Sequence, residues 1–274
     1  MNPQMLLAAA LVLAGSGATQ AATDLSKAEK DGQALARQLL AQKPEQDSTI
    51  TGVLKMRDGR GKRTEIPVQC RIIVTTNDWQ SIYETMPATN ATDTVRLTVI
   101  HNDAGPPEYR LSRGQAMEPS LAECALTAGA QPPRGETQDR ATREIECTIL
   151  RGDQAMIPFA GSDFWLADLG LEFLHWPEQR LLKKEMRRGQ FCNVIESLNP
   201  QPGAAGYARV VSWLDLDTGG IVHAEAYDAR RKLLKEFDPK EFKKINGRWE
   251  LREMEIRNVP ERSSTRLEFN LEEQ

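Results

Sequence analysis

The chain has 274 residues, a net charge of −4 and four cysteines, and 40% of its side chains are hydrophobic. That length can bury a proper core in one large or two small domains, and one large domain over residues 22–274 is expected. Scattered basic residues on a net acidic chain exclude the footprint of a nucleic-acid-binding protein, and no two cysteines have the close spacing of zinc patterns.

In chain order, "MNPQMLLAAALVLAGSGATQA" carries no charged side chain, an apolar run from Met5 to Ala14, and small residues ending at Ala21. It reads as a secretory signal peptide cut after Ala21, with a core too short to span a membrane. The first cysteine is Cys70, so no cysteine stands at the cut to carry a lipid, and a soluble exported protein is expected. An oxidising compartment permits two disulfides among Cys70, Cys124, Cys147 and Cys192. Cys124 with Cys147, flanking a turn-rich loop, is the first choice of pair, and buried free thiols are the alternative.

Ser26 to Glu29, "SKAE", has the form of a capping box and predicts a helix to about Gln42, stopped by Pro44. Ala28, Leu35, Ala36, Leu39 and Leu40 fall on one stripe of it. From Ser48 to Leu111 the pattern turns to period two, with "TGVLKM", "IPVQCRIIV" and "VRLTVIH" separated by turn signals at Asp58-Gly59, Asn77-Asp78 and Asn102 to Pro107. Residues 115–153, with Pro119, Pro132 and Pro133, read as a long connection holding a short helix near Leu121 to Ala128.

The most apolar stretch after the leader is "PFAGSDFWLADLGLEFLHWP", Pro158 to Pro177. Ser162 or Asp163 can cap a helix there and Pro177 can end it, which predicts a helix from Asp163 to Trp176. On a helical projection Trp165, Leu166, Leu169, Phe173 and Trp176 form one face, extended by Ala167, Leu171 and Leu174, and only Asp168, Glu172 and His175 make a polar strip. Such an arc exceeds what one sheet face covers. The excess either packs against a second element or lines a cavity for an apolar ligand, with Phe164, Trp165, Leu166, Leu169, Phe173 and Trp176 as the candidate contacts.

Beyond Pro177 the strands return as "RLLKKEMRR", "FCNVIESL", "YARVVSWLDL", "GIVHAEAYD", "KLLKEFD", "RWELREMEI" and "TRLEFNLE", parted by turn residues. In the last, Thr265, Leu267, Phe269 and Leu271 face one way while Arg266, Glu268, Asn270 and Glu272 face the other. The expected fold is mainly β with α: a large curved antiparallel sheet of about ten strands, one face wet, a few helices on its apolar concave face. Basic pairs such as Lys183-Lys184 and Arg187-Arg188, with Arg230-Arg231-Lys232, read as solvated hairpin rims.

Signs of chemistry are few. His101, His175 and His223 lack metal-ligand spacing, and neither a G-x-S-x-G elbow nor a phosphate-cradling glycine loop occurs. Asp217-Thr218-Gly219 has the form of an aspartic protease motif but stands once, so only a homodimer could complete the dyad, and a hairpin turn explains it better. A calcium loop through Asp215 and Asp217 would require an acidic residue where Ala226 stands. No catalytic residue, metal or cofactor is expected.

"GSDF" followed by Asp168-Leu169, then "YARVVSWLD", "AEAYD", "LLK", "INGRW" and "RLEF", resembles the outer-membrane lipoprotein-sorting family, the LolA-like proteins of the bacterial periplasm. The resemblance runs from Phe159 to Leu271, with the N-terminal half alike only in pattern. Trp165-Leu166-Ala167 stand where the family often has an aromatic and an acidic residue. The resemblance implies a half-open barrel whose helices form a lid over an apolar cavity. It implies a non-enzymatic periplasmic carrier of acyl chains, with an acylated lipoprotein or lipid as cargo and a membrane transporter or acceptor protein as partner. A sensor of lipid or lipoprotein built on the same fold is the alternative.

Overall fold

Alternating apolar and polar residues send successive side chains to opposite faces of a strand. In the computed structural model, which describes residues 16–76, 78–86, 94–102, 105–114, 146–245 and 248–271, this patterning builds one antiparallel sheet of thirteen strands. A first meander contains β1 (Ser48–Arg57), β2 (Arg63–Val74), β3 (Asp78–Thr85), β4 (Thr94–Asn102), β5 (Gly105–Gly114) and β6 (Glu146–Leu150). A second contains β7 (Glu178–Arg187), β8 (Gln190–Leu198), β9 (Arg209–Asp215), β10 (Ile221–Tyr227), β11 (Leu233–Ile245), β12 (Arg248–Asn258) and β13 (Ser263–Phe269).

Every pair of neighbours is consecutive in sequence except β1 with β13, which join the two meanders from Gly52↔Phe269 to Arg57↔Ser264. The free edges are β6 and β7, so the sheet is an unclosed half-barrel, as expected. Both edges belong to one stretch of chain, because residues 151–177 run directly from one to the other.

The strand number exceeds the expected ten in part because the turn at Asn102 to Pro107 is shorter than its prolines suggested. β5 begins at Gly105 and includes Pro106 and Pro107, and a register shift between Ile100 and Asn102 accommodates them. The leader residues 1–15, the helix expected at Leu121 to Ala128, and Cys124 of the expected bridge lie outside the described residues.

Helix α1 (Ser16–Leu40) starts well before Ser26. The expected capping box is therefore interior to the helix, and Glu29 instead pairs with Arg180 of β7 at 3.3 Å. The expected stripe does face inward: Ala36 is buried, with Leu35, Leu39 and Leu40 packed beside it. A β-carbon on Gly32 would stand 2.5 Å from the backbone nitrogen of Arg180. Glycine thus lets α1 lie directly against β7 and cover an edge otherwise open to another strand.

Two apolar clusters fill the concave side. Leu54, Val68, Leu97, Val99 and Tyr109 of the first meander gather with Ile256, Leu267, Phe159, Phe164 and Leu166. Ala36, Phe173, Leu174 and Trp176 gather with Ile195, Val210 and Leu214 of the second. The segment between β6 and β7 contributes to both. The outer face of the second meander carries ion pairs, among them Lys240 with Glu255 at 2.8 Å and Arg188 with Asp238 at 2.8 Å.

Candidate functional site

The crossing segment corrects the expected helix from Asp163 to Trp176. A 3-10 turn at Gly152–Ala155 is followed by a tight loop closed by an antiparallel bridge between Pro158 and Trp165, with Ala160 and Gly161 at positive φ, then a single α-helical turn, α2 (Leu166–Leu169), and a second 3-10 turn at Glu172–His175. Asp163 does not cap a helix; its carboxylate accepts from Ser263 Oγ at 2.5 Å and Thr265 Oγ1 at 2.9 Å on β13. Asp168 serves α2 instead, with Oδ2 accepting from the Trp165 amide at 2.7 Å.

The helix ends at Gly170, which lies against Tyr109: a β-carbon there would come 2.4 Å from the phenol oxygen. Leu171 follows with φ of 51°, in the left-handed region that a branched side chain rarely adopts. Tyr109 donates to Glu172 at 3.0 Å, and both are buried. Burial pushes the Glu172 carboxyl above its usual range, against the pull of that hydrogen bond.

These bends distribute the six candidate contacts between two cores. Phe164 and Leu166 are buried in the first cluster, with Leu169 packed against it. Phe173 and Trp176 are buried in the second, and Trp165 packs beside them. Of the six, Phe173 lines the apolar cavity beneath the segment, together with Leu171, Val210, Ile221, Ala224 and Phe237. The cavity is narrow, with a volume of about 40 Å³.

A buried cation stands on its wall. Lys235 of β11 is 3% exposed and donates to the Asp163 carbonyl at 2.7 Å and to Asp168 Oδ2 at 3.2 Å. Its ammonium lies 3.6 Å from the centroid of the Trp165 ring, which stacks on Tyr207 at 4.5 Å. The Tyr207 hydroxyl donates to Asp168 Oδ1 at 2.9 Å. Desolvation lowers the Lys235 pKa to about 8, opposed by the charge of Asp168. Asp168 is thus shared by an amide, a phenol and an ammonium, and this triple demand fixes α2 over the sheet.

Sequence reasoning missed Tyr207 and Lys235. The available signal was parity: Lys235 shares its strand face with Phe237 and its register partner is Ala226, a residue of the apolar side.

The remaining sequence candidates lie elsewhere. Asp217 is exposed in the turn between β9 and β10, and Asp215 shapes that turn by accepting from Thr218 N at 3.1 Å and Thr218 Oγ1 at 2.7 Å, as the hairpin reading requires. His223 bonds Asp238 at 2.6 Å on the outer face. His101 stacks on Trp79 at 3.7 Å, and burial lowers its pKa to about 4, helped by neighbouring His175. Cys70 and Cys192 are unbridged thiols, and burial pushes that of Cys70 up to about 12. Among the described residues no group of three or more His, Cys, Asp or Glu side chains is arranged to hold a metal ion.

An open antiparallel half-barrel, crossed by a segment that roofs an apolar cavity, defines a class of fold found in solved structures. A domain from Vibrio parahaemolyticus named for outer membrane lipoprotein sorting matches with a TM-score of 0.66 at 18% identity, over 89% of this chain and 92% of its own. A DUF1329 family protein from Desulfovibrio piger matches at 0.54 and 21% identity, over 89% and 91%. A LolA superfamily protein from Nitrosomonas europaea matches at 0.52 and 14% identity, over 88% and 91%. The chain therefore has the LolA-like fold. A family model described as "Uncharacterized protein" matches residues 146–272, which span the last strand of the first meander, the crossing segment and the whole second meander. No match to the chain is found among curated proteins.

Proposed function

We propose that the protein is a non-enzymatic carrier that takes up an acyl chain, borne by a lipoprotein or a lipid, between the sheet and its crossing segment. The reading places the mature protein, residues 22–274 as one domain, in the periplasm, moving cargo from a membrane transporter toward an acceptor at the outer membrane. The observation that carries it is the apolar cavity enclosed between the sheet and the crossing segment that roofs it. A lipid tail loses about 0.8 kcal/mol for each methylene left in water, so a carrier must offer a dry, adaptable space.

The cavity volume adds a condition. About 40 Å³ suits two or three water molecules and not a lipid tail, so loading requires the crossing segment to lift. The test is mass spectrometry of amphiphiles that co-purify with protein from a periplasmic extract, followed by transfer of labelled cargo between donor and acceptor vesicles. Recovery of no amphiphile, with no transfer, would rule out the carrier.

A further inference from the structure

A second and larger space opens beside the cavity. It lies between the end of α1 with the residues after it (Arg37, Lys43), the concave side of β3 and β4 (Trp79, His101), and the turn carrying Gly170, Leu171 and His175. Its volume is about 580 Å³, many times that of the cavity. Leu171 lines both spaces. Its backbone is held in the left-handed region, which sets this side chain at the junction.

The chemistry of the two spaces differs. Among the described residues the cleft is lined by Arg37, Lys43 and two imidazoles, and by no carboxylate. Arg37 is exposed at the last turn of α1 and joins no ion pair among the described residues. His175 Nε2 is buried without a hydrogen-bond partner, an unmet polar atom in a residue of the cleft wall. The cavity, by contrast, has its cation already engaged, since Lys235 is bound to Asp168, to the Asp163 carbonyl and to the face of Trp165. Positive charge available to a ligand, that of Arg37, therefore belongs to the cleft, and dry apolar surface to the cavity.

We propose that the cleft is the headgroup site for an anionic amphiphile, bearing a phosphate or a carboxylate, whose chain passes Leu171 into the apolar cavity. This rests on the carrier reading and narrows it: the cargo is a negatively charged single-chain or multi-chain lipid, in preference to an uncharged acylglycerol.

The experiment measures equilibrium binding, by tryptophan fluorescence, of four probes: palmitoyl lysophosphatidic acid, palmitate, monopalmitoylglycerol and inorganic phosphate. The two charged amphiphiles should bind at least about tenfold more tightly than the glycerol ester, the size of one lost charged hydrogen bond. Arg37→Gln with Lys43→Gln should collapse that preference, whereas Arg60→Gln, at the distant turn between β1 and β2, should retain it. All three positions are exposed, and an unchanged thermal midpoint separates loss of fold from loss of the headgroup site. Equal binding of charged and uncharged amphiphiles overturns the headgroup site and leaves the carrier standing. Inorganic phosphate binding as tightly as the lysophospholipid overturns the amphiphile and makes the cleft a free-anion site. No binding of any amphiphile overturns both readings.

Discussion

Lys235 Nζ stands 3.6 Å from the centroid of the Trp165 ring while it donates to the backbone of Asp163, so one side chain of β11 fastens the crossing segment to the sheet. Removing one partner of a buried ion pair leaves the other charge uncompensated and costs about 3–5 kcal/mol. Lys235→Met should destabilise the fold on that scale, as read from urea midpoints with an unchanged denaturant slope. The alkaline limb gives an independent readout. The folded pKa of about 8 lies below the ordinary 10.5, so between these values the unfolded chain holds the extra proton and stability from this group rises with pH. The difference in stability between parent and Lys235→Met should therefore change across pH 8 to 10.5, and a constant difference would contradict the assignment.

Phe164 and Phe173 come from the same segment and face different surroundings. Phe164 is enclosed in the first cluster, so Phe164→Ala should lose about 3–5 kcal/mol through the void it leaves. Phe173 borders space that is already unfilled, and Phe173→Ala should lose less stability while enlarging the cavity. Paired denaturation and binding of a fluorescent fatty-acyl probe would distinguish them. A larger stability loss at Phe173 than at Phe164 would mean that its cavity is closed core.

The contact of Gly170 with Tyr109 admits no side chain. Gly170→Ala should cost about 1–3 kcal/mol by displacing the phenol, since its β-carbon would otherwise stand 2.4 Å from the oxygen. Tyr109→Phe keeps the ring but removes the donor to Glu172, and should cost about 1–3 kcal/mol, more at neutral than at acid pH, where Glu172 is protonated. Stability curves at both pH values test this.

At the β9–β10 turn, Asp217→Asn should leave stability within about 0.5 kcal/mol of the parent, as surface changes do. Asp215→Ala, which strands the Thr218 amide, should cost about 1–2 kcal/mol. Cleavage of a peptide library that Asp217→Asn abolishes would reinstate the protease reading.

The strands after Pro177 were legible because each alternates cleanly and is bounded by turn residues; Arg266 outward and Leu267 inward fall where the pattern puts them. The crossing segment was not legible as a helix. Helical periodicity assumes that a segment buries one stripe, whereas this one sends Phe164 and Leu166 to one cluster and Phe173 and Trp176 to another. A segment serving two cores is apolar all round without being a helix. The pairing of β1 with β13 leaves no local trace at all, since nothing in either strand's alternation names its partner. Lys235 was passed over for a related reason: a lysine beside Glu236 in a strand gives no local sign of burial, and the register is what puts it opposite Ala226.

That pairing also orders how the molecule comes together. Each meander can assemble from hairpins of neighbouring strands, whereas the six residue pairs between β1 and β13 close nearly the whole length of the chain. Contacts at such separation are slow to form, and this ladder is expected to be the last part of the sheet to zip. The two halves then meet as pages on a spine, where Gly52 lets the strands approach so closely that a β-carbon there would sit 2.4 Å from the Glu268 carbonyl oxygen. The chain's first and last strands thus sit at the middle of the sheet, and the width of the mouth at its far rims follows the twist of a single backbone ladder.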